Sequence, residues 1–479
     1  MKKTRNILEK LFLGHFGIMP ISITPLPQGG SDRRYYRLTA ENHSAIGAHN
    51  PDVQENRTFL YLTEHFGKLG FPVPEVFSIS EDETVYLLSD LGNQSLFDFF
   101  PCTDWKRASS ENVKVLLKDS LSLLARLQVE GAKGLEFKRC YPKSEFDSQS
   151  VMWDFNYFKY SFLKPSGIRF NETKLDDDFL AFSEVLISQS AEYFHYRDFQ
   201  SRNIMVKDDK PHLIDYQGGR RGPLLYDVAS FLYQARAKFP QELRDELLEH
   251  YLNEVARYTQ IDKTESRQVF PAFALFRVIQ TLGAYGYRGF FERRSHFLLS
   301  IPMASANLMN LLEGVREMNL KLPTLKPILE SIYEKYAGSN EQTSRYDGLI
   351  IAINSFSFKK GYPEEHPEHG GGFVFDCRAL PNPGRLNKYK MLTGLDQPVI
   401  AYLKEHEEVE QFFQQTLDLI SKSVEAYRKR GFDHLSVSFG CTGGQHRSVY
   451  MANQLASALK GEEGVKVVLN HREINTKNE

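Results

Sequence analysis

The chain has little of what stabilises secreted, zinc-binding or membrane-spanning proteins. Four of its 479 residues are cysteines, which lie far apart and form no C-x-x-C pair: Cys102, Cys140, Cys377 and Cys441. This spacing argues against a disulfide framework and against a zinc site. The basic N-terminal segment lacks a signal-peptide cleavage pattern and is expected to form an amphipathic helix. No apolar run looks long enough to span a bilayer, so we expect a cytoplasmic protein without a membrane partner.

An excess of one charge is also missing. The formal net charge is -2, which argues against a protein that coats nucleic acid or an anionic membrane nonspecifically. What is present is the composition of a globular protein, with 41% hydrophobic and 13% aromatic residues. Since 479 residues exceed one ordinary hydrophobic core, we expect roughly two to four domains.

One stretch, from Glu192 to Asp227, carries an informative set of acids and one amide. Asp198, Asn203 and Asp215 follow one another at intervals of five and twelve residues. Two apolar runs, 204–206 and 212–214, flank a polar turn and predict a β-hairpin with Asn203 and Asp215 at the same end. Phosphoryl transfer needs a carboxylate for the attacking hydroxyl and oxygen ligands for Mg²⁺ on the phosphates. The spacing therefore predicts a catalytic Asp198 and a Mg²⁺ site at Asn203 and Asp215.

A predicted glycine-rich turn precedes this stretch. Gly29, Gly30 and Ser31 lie between two extended segments. Glycine lets backbone N–H groups approach a phosphate because no side chain stands in the way. A Gly-Gly turn by itself is usually only a turn, but its position ahead of Asp198 favours a nucleotide-phosphate loop.

The residues from His195 to Asn203, together with Ile214-Asp215-Tyr216, resemble the catalytic and metal-binding loops of protein-kinase-like aminoglycoside phosphotransferases. The continuation QGGRRGPLLYDVASFL is most similar to the anomeric N-acetylmuramate/N-acetylglucosamine kinases of that group. The resemblance covers roughly residues 20–330 and implies an ATP- and Mg²⁺-dependent small-molecule kinase. It also implies a small β-rich N-lobe at about 20–92 and a helical C-lobe at about 93–335, within a domain at 1–335.

The chain departs from most kinases of this fold at one position. They place a lysine on the third strand to hold the nucleotide phosphates, whereas the candidate strand here, 44–49, contains none; the resembling sugar kinases also tend to lack it. Arg33 and Arg34 are candidate replacements, although both fit a solvated strand edge equally well. Glu55, in a predicted helix at 55–67, is a candidate to orient a basic phosphate contact.

The resemblance also implies an adenine-binding hinge between the two lobes. Ser89, Asp90 and Leu91 stand at the end of a predicted buried strand. Their backbone groups are implied to pair with an adenine edge.

Acceptor contacts are implied near an aromatic amphipathic helix predicted at 151–163. The candidates are Trp153, Asp154 and Asn156. Such aromatic stripes pack in a core more often than they bind sugars, so this alternative stays open.

Two further predicted helices carry polar residues whose roles have to be considered. Arg277 and Gln280 share one face of a helix predicted at 268–285 and fit either a substrate contact or a solvated surface. Asp227 begins another predicted helix, where a carboxylate caps free N–H groups. We expect Asp227 to support the catalytic loop and to take no part in the chemistry.

The sequence pattern changes after the polar segment AGSNEQTS. Residues 336–343 are interpreted as a linker because they are small and polar without periodicity. A strand at 434–439, a glycine-rich loop and a helix from Val449 to Leu459 then form an anion cradle at a helix N-terminus. With the strands before and after it, this arrangement predicts a small α/β domain at 344–479.

The motifs SFSFKKG, VFDCRALPNP, LTGLDQPV and GCTGGQHRSVYMA resemble the C-terminal domain of the RapZ RNase adapter family over about 344–474. The P-loop domain that normally precedes it is replaced by the kinase-like domain. The resemblance implies binding of an amino-sugar phosphate and contact with small RNA. The implied ligand-binding residues are Cys441, Thr442, Gly443, Gly444, Gln445, His446, Arg447, Ser448, Arg378, Asn382 and Arg385.

This glycine-rich loop has a competing interpretation. Cys441 and Arg447 have the C-x5-R spacing of tyrosine phosphatases, where a helix N-terminus and an arginine activate the cysteine. RNA contact is the less secure expectation, because residues 344–479 contain seventeen Lys/Arg and seventeen Asp/Glu and therefore no overall basic field.

Together these features predict an α/β protein in two parts, an α+β kinase-like domain followed by a small α/β domain. The first part would phosphorylate an amino sugar at its anomeric hydroxyl with ATP and Mg²⁺, and the second would bind the phosphate of such a sugar. The alternative is a regulatory adapter that binds nucleotide with little turnover and contacts RNA or an RNA-processing partner.

Overall fold

The computed structural model describes residues 2–26, 33–100, 105, 110–318, 320–337, 348–363, 372–430, 432–462 and 464–474. The chain divides into two units, one of Met1–Phe291 with Ser300–Gly338 and the other of Glu292–Leu299 with Ser339–Glu479. The predicted linker at 336–343 lies mostly outside the described residues, and the predicted turn Gly29-Gly30-Ser31 lies outside them entirely.

The N-terminal unit begins with a β-rich lobe. Its elements are α1 (Lys2–Phe16), β1 (Ser22–Pro25), β2 (Arg34–Ala40), β3 (His43–His49), α2 (Val53–Lys68), β4 (Val76–Ile79) and β5 (Val85–Ser89). The five strands form an antiparallel sheet of order β1-β2-β3-β5-β4. The predicted amphipathic helix α1 buries Leu8 and Phe12 against Leu38 and Val85 of this sheet. Gly47 allows this approach, since a Cβ there would lie 2.3 Å from the Leu8 side chain.

A mainly helical lobe follows. Along residues 111–336 the elements are α3 (Glu111–Glu130), α4 (Ser148–Phe158), α5 (Glu172–Ile187), β6 (Tyr193–His195), β7 (Ile204–Lys207), β8 (Lys210–Leu213), β9 (Arg220–Gly222), α6 (Leu225–Leu232), α7 (Gln241–Val255), α8 (Lys263–Gly286), α9 (Ser295–Leu298), α10 (Ser300–Ser305), α11 (Leu308–Glu317) and α12 (Leu325–Tyr336). Helix α5 starts at Glu172 because the Asn171 side chain caps it by accepting from the Lys174 N–H.

Helix α8 is the central helix of this lobe. By length and composition the stretch Lys263–Phe291 could cross a membrane, which corrects the expectation that no run is long enough, but 72% of its most apolar window is buried inside the protein. Gly283 lets α8 approach α4, since a Cβ there would lie 2.9 Å from the Phe158 backbone nitrogen. The apolar surface of α8 is therefore used for packing, as in the core helix of a globular protein.

The C-terminal unit is a small parallel α/β fold. Its elements are β10 (Leu349–Ser357), β11 (Phe373–Asp376), α13 (Gln397–Lys404), α14 (Glu407–Lys429), β12 (His434–Cys441), α15 (Arg447–Leu459) and β13 (Val465–His471). The four strands are parallel, in the order β11-β12-β10-β13. Ser357 lies opposite Cys441, and Ser355 lies opposite His471. The carboxyl ends of three strands thus meet at the edge where open parallel sheets bind ligands.

Candidate active site

The predicted hairpin is present and positions the two expected metal ligands. Strands β7 and β8 pair antiparallel with Ile204 opposite Leu213. At the open end of the hairpin, the Ile214 N–H donates to the Asn203 carbonyl at 3.1 Å. Asn203 and Asp215 therefore stand next to each other across the two strands, as the sequence spacing predicts.

The donor atoms at this end suit a hard cation. Asn203 Nδ2 donates to the Asp198 carbonyl at 2.9 Å, which leaves its Oδ1 for a cation. Asp215 accepts from Gln217 Nε2 at 2.8 Å through one oxygen only, and its φ of +67° lies in the left-handed region. Such strain in a non-glycine residue is concentrated at functional sites. Amide and carboxylate oxygens fit Mg²⁺, which takes few protein ligands and fills its shell with phosphate and water.

Asp227 anchors the catalytic loop. It lies in the first turn of α6, but its fully buried carboxylate accepts from the backbone N–H groups of Tyr196 and Arg197 at 2.8 Å each, and from Gln128 Nε2 at 3.0 Å. The expected supporting role is therefore present, whereas the expected mechanism, capping of its own helix, was wrong. Burial raises the pKa of Asp227 to about 7 although these hydrogen bonds lower it.

The two candidate arginines of the first lobe have different surroundings. The Arg33 side chain is 1% exposed, with Nη2 lying 3.3 Å from Glu55 Oε1. Its Nε and Nη2 are buried without a hydrogen-bond partner among the described residues, while Arg34 is exposed on β2. A pair of this kind resembles the kinase lysine–glutamate pair that holds the nucleotide phosphates. The solvated-edge alternative therefore fits Arg34 and not Arg33.

The predicted hinge is only partly available for a ligand. The Ser89 N–H donates to the Glu75 carbonyl at 2.9 Å, so this N–H is not available to an adenine edge. The Asp90 carboxylate accepts from Arg37 at 2.7 and 2.9 Å and thereby braces the sheet. No described hydrogen bond outside the sheets engages the backbone of Asp90 or Leu91, and these groups remain the adenine candidates.

The three acceptor candidates of α4 differ in their exposure and contacts. Trp153 is 48% exposed and lies under Lys143 at 5.4 Å, and Asn156 is partly buried. Asp154 is buried, and Arg197 Nη2 lies 3.8 Å from its Oδ1. Among the described contacts, Asp154 is the member of this trio that touches the catalytic loop.

The C-terminal glycine-rich loop is largely closed by its own hydrogen bonds. Cys441 is 3% exposed; its Sγ lies 3.2 Å from Ser448 Oγ and accepts from the Gly444 N–H at 3.2 Å.

Other residues of the loop are also hydrogen-bonded. The Ser357 hydroxyl donates to the Thr442 carbonyl at 2.8 Å, and His446 Nε2 lies 2.9 Å from the Tyr389 carbonyl. The Gln445 carbonyl accepts from the backbone of a neighbouring turn at 2.8 Å, and Gly443 has open space around it.

Arg447 does not have the position that the phosphatase interpretation needs. Its Nη1 donates to the backbone carbonyls of Arg378 and Leu380 at 2.8 and 2.9 Å. The guanidinium therefore holds two chain segments together and is not free to activate the buried Cys441 thiol. This geometry does not support a nucleophilic cysteine.

The three flanking candidates differ in availability. The Arg378 side chain pairs with Asp376 at 2.6 Å, and Asn382 Oδ1 accepts from the Gly384 N–H at 3.2 Å. Arg385 is exposed. Of the three, Arg385 has the freest side chain for an anionic ligand.

Comparison with known families matches both parts of the chain. A model of the phosphotransferase enzyme family matches residues 22–262, and a model of the RapZ C-terminal domain matches residues 349–475. The chain belongs to the phosphotransferase enzyme family. The predicted fold class is thereby confirmed, as a kinase-like phosphotransferase fold followed by a parallel-sheet α/β domain of RapZ type.

Curated relatives resemble the chain over part of their length. A nucleotide-binding protein of Acidithiobacillus ferrooxidans is 34% identical over 39% of this chain and 64% of its own length. The RNase adapter protein RapZ of Hamiltonella defensa is 34% identical over 36% and 63%. A nucleotide-binding protein of Caldanaerobacter subterraneus is 31% identical over 61% and 88%. The chain thus spans a little under two thirds of the first two relatives.

Solved structures resemble the chain at low identity. A choline kinase from Cryptosporidium parvum has a TM-score of 0.46 and 10% identity, covering 68% of this chain and 99% of its own. An aminoglycoside phosphotransferase candidate from Ralstonia eutropha has a TM-score of 0.44 and 12% identity, covering 71% and 99%.

Several polar groups around the phosphotransferase site were not identified from the sequence. Arg197 and Arg220 were not singled out, and Arg277 was left open, although its Nη2 lies 3.9 Å from Asp198 Oδ1. A signal was present for Arg197, since it directly precedes Asp198, the expected catalytic residue. No local signal marks Arg277, which lies 79 residues from Asp198 along the chain.

Proposed function

We propose that the phosphotransferase unit is an ATP- and Mg²⁺-dependent kinase that phosphorylates an amino sugar of the N-acetylglucosamine/N-acetylmuramate type at its anomeric hydroxyl. The observation that carries the proposal is the hairpin end, where Asn203 and Asp215 stand together beside the loop of Asp198. The choice of an amino sugar is supported by the resemblance of both units to proteins of hexosamine metabolism. We place the protein in the cytoplasm on its composition.

Each polar group has a separate task in this proposal. Asp198, whose side chain is 44% exposed, accepts the proton of the attacking hydroxyl. Arg33, oriented by Glu55, holds the nucleotide phosphates, and the backbone of Asp90 and Leu91 binds the adenine edge. Asn203 and Asp215 hold Mg²⁺, which neutralises the charge on the phosphates when bound.

The C-terminal unit would bind an amino-sugar phosphate without chemistry. Its loop lies at the N-terminus of α15, a helix of 13 residues, where backbone N–H groups favour an anion. The buried Arg447 Nε has no hydrogen-bond partner among the described residues and is a further donor candidate.

Phosphate transfer from ATP to a panel of acceptors tests the kinase. N-Acetylglucosamine, N-acetylmuramate, an aminoglycoside and choline are compared by phosphorus NMR, which distinguishes an anomeric phosphate from other phosphate esters. We expect transfer to an amino sugar, reduced about 10²- to 10⁴-fold in Asp198→Asn. Fluorescence-detected unfolding checks that the variant is folded. Transfer to the cationic acceptors alone would sink the proposed acceptor class.

A regulatory adapter is the second candidate, favoured by the match to the RapZ C-terminal domain. It predicts that ATP consumption does not depend on added sugar, whereas glucosamine 6-phosphate or small RNA still binds. Calorimetry with both ligands, alongside the kinase panel, separates the two candidates.

A further inference from the structure

Three arginines interact electrostatically with Asp198. Arg197 directly precedes it, Arg220 lies in β9 and Arg277 lies in α8. Arg277 Nη2 is 3.9 Å from Asp198 Oδ1, and Arg197 Nη2 is 3.8 Å from Asp154 Oδ1. Both distances exceed that of a hydrogen bond, so these ion pairs leave the guanidinium donors unsatisfied by the carboxylates.

The cluster holds three guanidinium groups and three carboxylates but few direct pairs. The charges of Asp154 and Asp198 act on all three arginines, while Asp227, whose pKa burial raises to about 7, acts on Arg277. Arg220 is 3% exposed, and its described hydrogen bonds go to the Gly218 carbonyl alone, at 3.2 and 3.3 Å. Burial and the charge of Arg197 lower the pKa of Arg220 to about 10. A buried cation without a carboxylate partner is costly, and an anionic ligand would relieve that cost.

Arg197 is the member of the cluster that a ligand can reach. Its side chain is 31% exposed, and no hydrogen bond from its guanidinium is described. By contrast, Arg277 is 3% exposed in its side chain and donates to Tyr226 and Ser230 at 2.7 and 2.9 Å. Arg197 also has a φ of +78°, a strained conformation that Asp227 holds through the Arg197 N–H.

The described carboxylate partners of the cluster belong to the second lobe. Arg197 Nη2 lies 3.8 Å from Asp154 Oδ1 of helix α4, and Arg277 Nη2 lies 3.9 Å from Asp198 Oδ1. Arg33, the proposed ligand of the ATP phosphates, pairs instead with Glu55 of the first lobe. Arg197 and Arg33 therefore belong to different sets of contacts.

From this arrangement we infer that Arg197, with Arg220 and Arg277 behind it, binds an acid group on the acceptor and selects sugars that carry a carboxylate or phosphate. The inference rests on the proposed function and narrows its substrate class. Arginine suits this task because its planar fork binds both oxygens of an acid group.

The test compares acceptors that differ in the acid group. N-Acetylglucosamine is neutral, N-acetylmuramate adds a carboxylate, and N-acetylglucosamine 6-phosphate adds a phosphate, so the two acidic arms distinguish the two sources. We expect kcat/KM for one acidic sugar to exceed that for the neutral sugar by about 10- to 100-fold. In Arg197→Met this ratio should fall to within about threefold of unity, while Arg197→Lys should retain an intermediate ratio.

Arg221→Met is the matched control, because Arg221 neighbours Arg220, is 48% exposed and pairs with Glu145. Its selectivity ratio should equal that of the wild type. Equal kcat/KM for acidic and neutral sugars in the wild type would overturn the inference, as would an equal loss for every acceptor in Arg197→Met, which would place Arg197 on the transferred phosphoryl group.

Calorimetry with a non-hydrolysable ATP analogue separates the inference from the proposed function. Preferential binding of an acidic sugar without turnover would contradict the kinase proposal alone. Turnover of amino sugars without that preference would contradict the acid-group inference alone.

Discussion

The two units of this chain both place arginines beside strand ends, yet they differ in how many of the arginine N–H donors have hydrogen-bond partners. In the phosphotransferase unit, Nε and Nη2 of Arg33 are buried without a described hydrogen-bond partner, and Arg197 is partly exposed beside Asp198. In the C-terminal unit, the buried Arg447 has one donor, Nε, without a described partner, but its Nη1 donates to two backbone carbonyls, and the Cys441 thiol contacts Ser448 and Gly444.

This difference separates a site suited to chemistry from one suited to binding. Unsatisfied buried donors cost free energy, so they persist where a charged ligand completes them. A loop whose side chains are already paired offers mainly its backbone N–H groups, which bind an anion without activating a nucleophile. The C-x5-R pattern is therefore compatible with phosphate binding and with a nucleophilic cysteine, and the hydrogen-bond partners of the arginine decide between these two functions.

The largest expected effect concerns Asp227, whose carboxylate anchors the loop before Asp198 through two backbone N–H groups. The pKa of Asp227 is raised from 3.8 to about 7, so the folded protein binds a proton that the unfolded chain releases. The resulting stabilisation is complete below about pH 4 and is lost as the pH rises through about 7, a change of about 4 kcal/mol. His195, 3.8 Å away, contributes in the opposite sense, because burial and Arg220 hold its pKa well below the usual range and only the unfolded chain binds its proton. This contribution is common to the wild type and to an Asp227 variant and cancels in their difference.

Asp227→Asn should remove this pH dependence. Urea unfolding between pH 4 and 8 is followed by the fluorescence of Trp105 and Trp153, the two tryptophans of the chain, both of which lie in the phosphotransferase unit. The difference between the wild-type and variant free energies of unfolding should change with pH in the stated sense. A difference that is flat across this range would show that Asp227 is ionised throughout.

The next effect sharpens the contrast between Arg33 and Arg34. Arg33→Met keeps an apolar chain beside Phe59 but removes the buried donors, so KM for ATP should rise about 10- to 100-fold. Arg34→Met is the matched control, because Arg34 is exposed, and should change KM less than about twofold. Steady-state kinetics at varied ATP measures both. Similar losses in the two variants would contradict the assignment of Arg33 to the phosphates.

Local patterns in the sequence were sufficient to predict secondary-structure elements and the hairpin that positions Asn203 and Asp215. The hairpin of β7 and β8 follows from two apolar runs around a polar turn, and α1 is the amphipathic helix that the N-terminal segment predicts. These predictions depend on residues within about twenty positions of each other, where periodicity and turn chemistry act directly.

The roles of the charged residues depended on distant parts of the chain. Arg33 and Arg34 are adjacent in sequence, but Arg33 is buried in contact with Glu55 and Phe59 of α2, whereas Arg34 is exposed. Likewise, the position of Asp227 at the start of a helix predicts a helix cap, but its carboxylate accepts from backbone N–H groups 30 and 31 residues away. Tertiary contacts of this kind decide which polar group is buried and paired, and they leave no local signal.

The smallest effect tests whether the C-terminal loop binds through its backbone shape. Gly444 has a φ of +67°, and a Cβ there would lie 2.3 Å from Glu473 Cγ and 2.8 Å from the Ser357 nitrogen; at Gly443 a Cβ meets nothing within 4 Å. Gly444→Ala should therefore destabilise this unit by about 1–3 kcal/mol and weaken binding of glucosamine 6-phosphate, whereas Gly443→Ala should change stability little. Calorimetry measures binding, and far-ultraviolet circular dichroism measures unfolding. Equal stability of the two variants would contradict the role assigned to the strained turn, while Trp105 and Trp153 should report unaltered unfolding of the phosphotransferase unit in both.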